Sequence, residues 1–528
     1  MSSISRRSFL QRSAVAAATF TIAPSTILGK SHGYQAPSDK LNVAVVGPAG
    51  RSGSQLNSAA AAGENIVALC DTDWARAGRT FAQFSNAKRY YDWRSMFDEM
   101  GRSIDAVAVG TPDHTHAIIA STAITLGKHV YCEKPLTHSV YESRLLTKLA
   151  EKHKVATQMG NQGASNEGVR QICDWIAAGE IGDVTKVECA TNRPIWPQGL
   201  NPLPKEGNFV PSTLHWDQWI GPAKMVPYVT EYYSPFAWRG WWAFGTGALG
   251  DMACHIMHPV FKALKLGYPT KVQGSSTALL ADCAPVSQRV KYTFPARTQF
   301  NTNKVKYPEV EVHWTDGGVL MPFPKGWPDG KVLDSGLEGP VIFHGTKDTL
   351  ICGCYGRNPW LLSGRTPNSP KTQREVPTPP AGQPLPTAAP AADDPFAAFN
   401  EGGTNENRAR AVRIDPHCYD WLRACKESPE NRVQTTSYFG EAGPFNEMVV
   451  MGVLAVRLQG LSRELLWDGP NMQFTNIGDS DEIRWIESLG VGGGNMRRNQ
   501  TEPMNAKATA QELIKHTYRN GWSLPAMP

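Results

Sequence analysis

The chain has 528 residues, 41% of them apolar and 19% charged, which is enough apolar material for two cores rather than one. Its formal charge of +5 is small and includes Arg6, Arg7 and Arg12; no basic stripe runs through the rest, so the composition excludes a nucleic-acid-binding protein. Ten cysteines without regular spacing give no disulfide framework, and several sit in apolar patterns where a thiol behaves as a small core residue.

In chain order, Ser5 to Leu10 contains the pair Arg6-Arg7 and precedes an apolar run from Ala14 to Ala23. Ten apolar or small residues cannot cross a hydrocarbon core of about 30 Å. Residues 1–35 therefore read as a twin-arginine export signal and linker, with no stable membrane span. That route carries proteins already folded, so the expected location is the periplasm.

Leu41 to Val46 is an apolar strand followed by Gly47-Pro48-Ala49-Gly50-Arg51-Ser52-Gly53 and a small-residue helix from Gln55 to Ala62. A strand, a glycine turn and a helix N-terminus aim backbone N–H groups at a pyrophosphate. The usual dinucleotide fingerprint has glycines where this chain has Gly47, Ala49 and Ser52, with Gly50 and Gly53 offset. The next strand, Ile66 to Asp71, ends in a carboxylate 24 positions after Gly47, where the adenosine ribose is bound. Asp71 therefore favours NAD, Asp73 competes for that role, and Arg51 or Arg76 leaves NADP open. Asp105 to Gly110 leads into Thr111, Pro112 and His116, and His129 to Cys132 leads into Glu133-Lys134-Pro135. Helices follow to about Leu126 and from about Ser139 to Lys152. This alternation predicts a Rossmann-type parallel sheet over residues 39–160, with Thr111, Pro112, Glu133 and Lys134 on one rim beside the nicotinamide. His116 belongs to the start of the helix at that rim. Asn161 follows the next strand and should face the same ring.

Residues 161–528 form a second α/β unit. Asp251 and His255 stand four apart on one helix face. With Lys134 they supply a lysine, an imidazole and an orienting carboxylate, the parts needed to take a proton from a hydroxyl while a hydride leaves the same carbon. Asp251 could instead cap a helix, and a metal site from Asp251, His255 and His258 lacks the spacing of a structural zinc site, so no metal is expected. Six of the sixteen tryptophans fall between residues 190 and 245, interleaved with Asn192, Arg193 and Arg239. This mixture suits sugar rings, and Asn192, Arg193, Trp238 and His255 are the candidate substrate contacts. From Lys271 the chain reads as sheet: 271–273, 278–281, and alternating segments at 289–294 and 309–314. Residues 364–404 are Pro- and Ala-rich and read as a mobile insertion or surface wrap. Helices are expected again at Pro416–Cys425 and from Phe445 to Leu458, and Gly492 to Gly494 reads as a loop.

The glycine turn, Cys70-Asp71, Thr111 to His116, Glu133-Lys134-Pro135 and Gly247 to His255 together resemble the glucose–fructose oxidoreductase, inositol dehydrogenase and rhizopine-catabolism (Gfo/Idh/MocA) family. The resemblance is nearest to its exported bacterial branch with an enlarged C-terminal region. It implies a Rossmann domain followed by an α/β domain with an open, mainly antiparallel sheet, a homo-oligomer, and a sugar, glycoside or polyol substrate. Lys134, Asp251 and His255 match the family's catalytic lysine, aspartate and histidine. Ala49 and Ser52 depart from the family's turn. In an exported enzyme with little free nucleotide, the expectation is a tightly bound NAD recycled within one site. That fits reduction of a second carbonyl compound, or glycoside cleavage by transient oxidation, elimination, hydration and re-reduction. A glycoside dehydrogenase passing electrons to another acceptor and a non-catalytic periplasmic sugar-binding protein remain the alternatives.

Overall fold

The computed structural model describes residues 39–200, 203–333, 338–386, 413–492 and 495–528. The export signal expected at 1–35 and positions 387–404 of the expected insertion lie outside the described residues. In the first unit, short apolar strands alternate with helices: β1 (Asn42–Val46), α1 (Gly53–Ala61), β2 (Asn65–Cys70), α2 (Trp74–Gln83), β3 (Lys88–Tyr90), α3 (Trp93–Met100), β4 (Ala106–Val109), α4 (Asp113–Thr125), β5 (His129–Cys132), α5 (Val140–His153) and β6 (Thr157–Met159). The six strands pair in parallel in the order β3-β2-β1-β4-β5-β6. Helices cover both faces, which is why Val43 to Val46 and Ala106 to Val109 are apolar without alternation and all buried. The strand order reverses between β1 and β4, and their carboxyl ends open a crevice there.

The second unit contains α6 (Glu167–Ala177), β7 (Val184–Ala190), α7 (Trp216–Ile220), α8 (Gly247–Ile256), α9 (His258–Ala263), β8 (Lys271–Ser276), β9 (Gln288–Phe294), β10 (Val310–Thr315), β11 (Pro340–Gly345), β12 (Thr349–Gly353) and β13 (Trp360–Leu361). Then come α10 (Pro416–Cys425), α11 (Phe439–Arg457), β14 (Leu465–Asp468), β15 (Gln473–Phe474), β16 (Glu482–Ile483), β17 (Ile486–Gly492), β18 (Asn495–Gln500), β19 (Met504–Asn505) and α12 (Ala506–Ile514). Nine strands form one sheet in the order β13-β12-β11-β7-β10-β9-β8-β14-β15. It is mixed: β7 and β10 are parallel, and the other pairs are antiparallel. Alternation puts Val290, Tyr292, Phe294, Val310, Val312 and Trp314 in the core, while Lys291, Glu311 and His313 stand on the opposite face.

Three local expectations need correction. Residues 278–281 are not a strand; Leu280 makes only an isolated bridge to Ile486. Helix α11 starts at Phe439, a turn and a half before Phe445, although Pro444 lies inside it. Phe439 and Ala442 are fully buried and the Phe439 N–H donates to Thr157 Oγ1 at 2.9 Å, which offsets the ladder bond that Pro444 cannot make. Gly492 ends β17 opposite Asn495 instead of belonging to a loop, while positions 493 and 494 lie outside the described residues. Residues 364–386 have no helix or strand and lie on the surface, tied down by Thr372 donating to Asp174 and Arg374 to Asp420.

Helix α11 joins the two units. It packs on α5 on one side and on β8 and β9 on the other. The sequence boundary at residue 160 is also crossed from the far end of the chain. Trp421 and Leu422 of α10 are buried in a cluster with Leu56, Phe81 and Tyr131 of the first unit, and the Met159 N–H donates to Ser437 O at 2.9 Å. Beneath α5 and α11, the Arg144 guanidinium grips Glu447 with two bonds, Nε to Oε1 at 2.7 Å and Nη2 to Oε2 at 2.8 Å, and the Glu447 side chain is fully buried. Replacing Arg144 with Met would strand that carboxylate. The expected loss is about 3–5 kcal/mol of stability, read as a lower denaturation midpoint of the full chain.

Candidate active site

The crevice at the carboxyl ends of β1, β2, β4 and β5 is the mouth of a cavity of about 530 Å³ that reaches into the second unit. At its base Gly47 has φ +80°, and a Cβ there would stand 2.8 Å from Gly110 O, so only glycine lets the β1 and β4 turns approach this closely. Ser52 Oγ donates inward to Gly47 O at 2.7 Å and locks the turn. Among the described residues the backbone N–H groups of Arg51 and Ser52, just ahead of α1, have no protein acceptor. Free donors at a helix N-terminus suit a pyrophosphate.

Asp71 ends the next strand and lines the cavity. Its carboxylate accepts from the Ala49 N–H at 3.1 Å and the Asp73 N–H at 3.0 Å. Burial pushes it up to about 6 against those two bonds and the nearby Arg76 charge. Asp73, the competing candidate, is the N-cap of α2, where its side chain accepts from the Arg76 N–H. These groups fit an NAD: the turn and the α1 N-terminus for its phosphates, and Asp71 for its ribose hydroxyls.

At the other end of the cavity, the loop after β5 meets α8. Lys134 Nζ lies 2.7 Å from Asp251 Oδ1 and 3.1 Å from the Asp251 backbone oxygen. The loop is held from below by Asn446 of α11, whose Oδ1 accepts from the Leu136 N–H at 3.0 Å and whose Nδ2 donates to Thr137 Oγ1 at 3.0 Å. Burial raises the Asp251 carboxyl, but the Lys134 and Arg239 charges outweigh it and bring it down to about 2. Asp251 is thus ionised, and it stands inside the helix rather than capping it. His255, one turn on, is driven well below the usual histidine range by burial and then by Lys134, so its imidazole is neutral at pH 7. Among the described residues its Nδ1 is buried without a partner, and its ring lies 4.7 Å from that of Tyr355. Glu133, fully inside, is pushed up to about 7 by burial, against Arg51 and Lys134.

Of the residues singled out in the sequence, Gly47, Gly50, Arg51, Asp71, Thr111, Pro112, Glu133, Lys134, Arg193, Trp238, Asp251 and His255 line this one cavity. Five do not. Ser52 is turned inward by its bonds to backbone oxygens, and the Ala49 backbone serves Asp71. His116 is 1% exposed and pinned between Pro135 O and Thr111 O, each at 2.8 Å, where it ties two rim loops together. Asn161 is turned toward Cys254 O, at 3.4 Å, and its neighbour Gln162 reaches the cavity instead. Asn192 is exposed, its Oδ1 accepting from Arg193 Nη1. The sequence reading did not single out Tyr355, a non-glycine residue at φ +65°, or assign Arg239 a role at Asp251. The tryptophan cluster divides evenly: Trp216 and Trp241 pack with Tyr233 and Phe244 and Trp242 is buried in the main core, while Trp196, Trp219 and Trp238 reach the cavity. All ten cysteines are buried and unpaired, and among the described residues no group of three or more His, Cys, Asp or Glu could hold a metal ion.

Residues 41–161 match the model of the Gfo/Idh/MocA oxidoreductase family, NAD-binding Rossmann fold, and residues 169–308 match that family's C-terminal alpha/beta domain. Levoglucosan dehydrogenase of Pseudarthrobacter phenanthrenivorans is 28% identical over 184 residues, 35% of this chain and 37% of that protein. Inositol 2-dehydrogenase 1 of Saccharopolyspora erythraea is 30% identical over 130 residues, 24% of this chain and 38% of that protein. The chain thus spans well under half the length of either relative. The WlbA dehydrogenase from Bordetella pertussis, solved in complex with NADH and UDP-GlcNAcA, superposes with a TM-score of 0.50 at 14% identity, covering 81% of this chain and 99% of that one. That likeness shows the fold.

A ribose held by Asp71 needs the carboxylate form. NAD affinity should fall about tenfold between pH 7 and pH 5 as Asp71 protonates through about 6. Asp71→Asn should bind weakly and lose that pH dependence, both read by nucleotide titration calorimetry. In the apoprotein the same group acts in the opposite sense. Its folded value lies above the unfolded one, so its contribution favours folding at low pH and is lost as pH rises from about 4 to about 6.

Proposed function

We propose, from the premise that residues 41–161 and 169–308 belong to the Gfo/Idh/MocA oxidoreductase family, that this protein is an NAD-dependent oxidoreductase. Its substrate is a sugar, glycoside or polyol hydroxyl. The observation that carries this reading is the Lys134–Asp251 pair beside a neutral His255, at the far end of a cavity whose near end fits a dinucleotide. Bound NAD supplies the hydride acceptor. The chain's own groups handle the proton. Lys134 Nζ, its position set by Asp251, donates a hydrogen bond to the substrate oxygen and stabilises the charge that grows there. His255, uncharged at neutral pH, accepts the hydroxyl proton. Trp196 and Trp238 offer apolar faces to the C–H side of a sugar ring, and Arg193 faces its hydroxyls. Relatives named for levoglucosan and inositol support a carbohydrate or polyol.

The remainder of the proposal concerns cofactor retention and setting. Arg6-Arg7 and the apolar run after them support export of the folded protein by the twin-arginine route to the periplasm. There a nucleotide kept in the site and recycled by a second substrate, or by re-reduction after glycosidic cleavage, would replace exchange with a free pool. The NADP form remains open through Arg76, which lines the cavity beside Asp71. Assembly as a homo-oligomer belongs to the same reading.

The test is to denature the purified protein and identify released nucleotide, then offer the intact protein glycosides, sugars and polyols with no cofactor added. Released NAD(H) and repeated turnover are expected, and the product, oxidised or cleaved, distinguishes dehydrogenase from glycosidase. Lys134→Ala should lower turnover about 10²–10⁴-fold while nucleotide affinity is retained. Saccharide binding with no turnover in the unaltered protein would reject the enzyme in favour of a sugar-binding protein.

A further inference from the structure

Arg239 lines the cavity and has no part in the reaction just proposed. It lies in the turn between Phe236 and Trp241, and its Nε donates to Asp251 Oδ1 at 3.2 Å, the same oxygen that Lys134 holds at 2.7 Å. Its Nη1 donates to Phe236 O at 3.2 Å. The guanidinium carbon stands 4.3 Å from the Phe236 ring centroid, 4.3 Å from that of Trp238 and 5.9 Å from that of Trp196. The backbone is fixed as well: a Cβ on Gly245 would come within 2.7 Å of Arg239 Cα, so the chain at 245 is pressed against it. A planar cation stacked on aromatic rings and bonded at its edge is held in place. It cannot follow the carboxylate if the carboxylate moves.

We infer that Arg239 is a positioning residue, which clamps the Asp251 carboxylate from the aromatic wall and so fixes where Lys134 presents its ammonium to the substrate. The inference rests on the function proposed above and deepens it. One oxygen of Asp251 receives two fixed donors from opposite units, the β5 loop and the Phe236–Trp241 turn. Lys134 is then tethered at both the Oδ1 and the backbone oxygen of Asp251 and has one direction left in which to reach. Among the described residues the charged or titratable groups around Asp251 are Lys134, Arg239, His255 and the Cys254 thiol on its own helix, and Asp113 at the start of α4, whose carboxyl accepts from Thr246 Oγ1 at 2.8 Å. Two cations against one buried acid keep Asp251 ionised, consistent with its depression to about 2. The same rings that would receive a sugar also grip the guanidinium, so the wall and the catalytic pair move as one piece.

The experiment uses the full chain and compares Arg239→Gln and Arg239→Lys with the unaltered protein. The Asp251 carboxyl is followed by ¹³C NMR of aspartate-labelled protein, its resonance identified by loss in Asp251→Asn. In Arg239→Gln the Asp251 midpoint should rise by about one pH unit or more. Turnover of the substrate found in the screen should fall at least about tenfold in kcat, with KM and NAD(H) affinity within about twofold. Arg239→Lys should return the midpoint toward its original value without restoring kcat, because a lysine restores the charge and not the stacked plane. An unmoved Asp251 midpoint in Arg239→Gln, or full kcat in either variant, would overturn the inference. Should Arg239→Gln lose its cooperative thermal transition, Arg239→Lys decides alone: full kcat rejects the clamp. A protein that turns over no carbohydrate at all defeats the proposed function, and the NMR midpoint still decides Arg239.

Discussion

One buried ion pair sets the terms for the rest of this molecule. Lys134 leaves the end of a first-sheet strand and Asp251 sits inside a helix of the second unit, yet their side chains meet at 2.7 Å in a site where both are largely covered. A pair taken out of water at that depth costs several kcal/mol per ion and holds only when the geometry is fixed from both sides. The fixing is visible. Asn446 fastens the loop after Lys134, Arg239 fastens Asp251, and α11 packs against both units beneath them. The two units therefore cannot slide against each other without breaking the pair.

That demand explains where the sequence was readable and where it was not. The Rossmann unit was legible because its central strands β1, β4 and β5 are covered on both faces and so are written as largely apolar runs bounded by turn residues, whereas the edge strand β3, Lys88-Arg89-Tyr90, carries no such run. Lys134, Asp251 and His255 were legible because two of them share a helix face and the third follows such a run. The contacts that tune them come from far along the chain, and no local pattern announces them. Arg239 stood among the tryptophans as one polar residue of a sugar-binding mixture, and its bond to Asp251 depends on the path of the turn around it. Tyr355 lies beyond a hairpin; its one clue was the glycine that follows it, since Gly356 also takes a positive φ.

The side chains turned away from the cavity have a physical reason for it. The Ser52 and His116 side chains occupy the motif positions but are turned to nearby backbone oxygens, because a tight rim of loops has carbonyls to satisfy, while Asn161 Nδ2 turns to Cys254 O of α8. A motif fixes which loop approaches the ligand, and the hydrogen-bond needs of that loop decide which side chains remain to touch it. After β6 it is Gln162 that lines the cavity, while Asn161 beside it is turned toward α8. The helix that runs through Pro444 is the counterpart in the core, where burial of Phe439 and Ala442 overrides a residue that normally ends helices.

The return of residues 414–439 to the first unit bears on how such a chain is made. The Leu56 and Phe81 cluster waits for Trp421 and Leu422, and Met159 waits for Ser437. Further on, Tyr518 donates to Glu142 at the start of α5, and the Trp522 ring lies 4.4 Å from the Arg94 guanidinium. The Rossmann unit thus precedes in sequence every one of these segments that complete it. A chain emerging residue by residue would carry that unfinished apolar surface until residues 414–439 and 518–522 are synthesised, and a partial product lacking them would be open to chaperones and proteases.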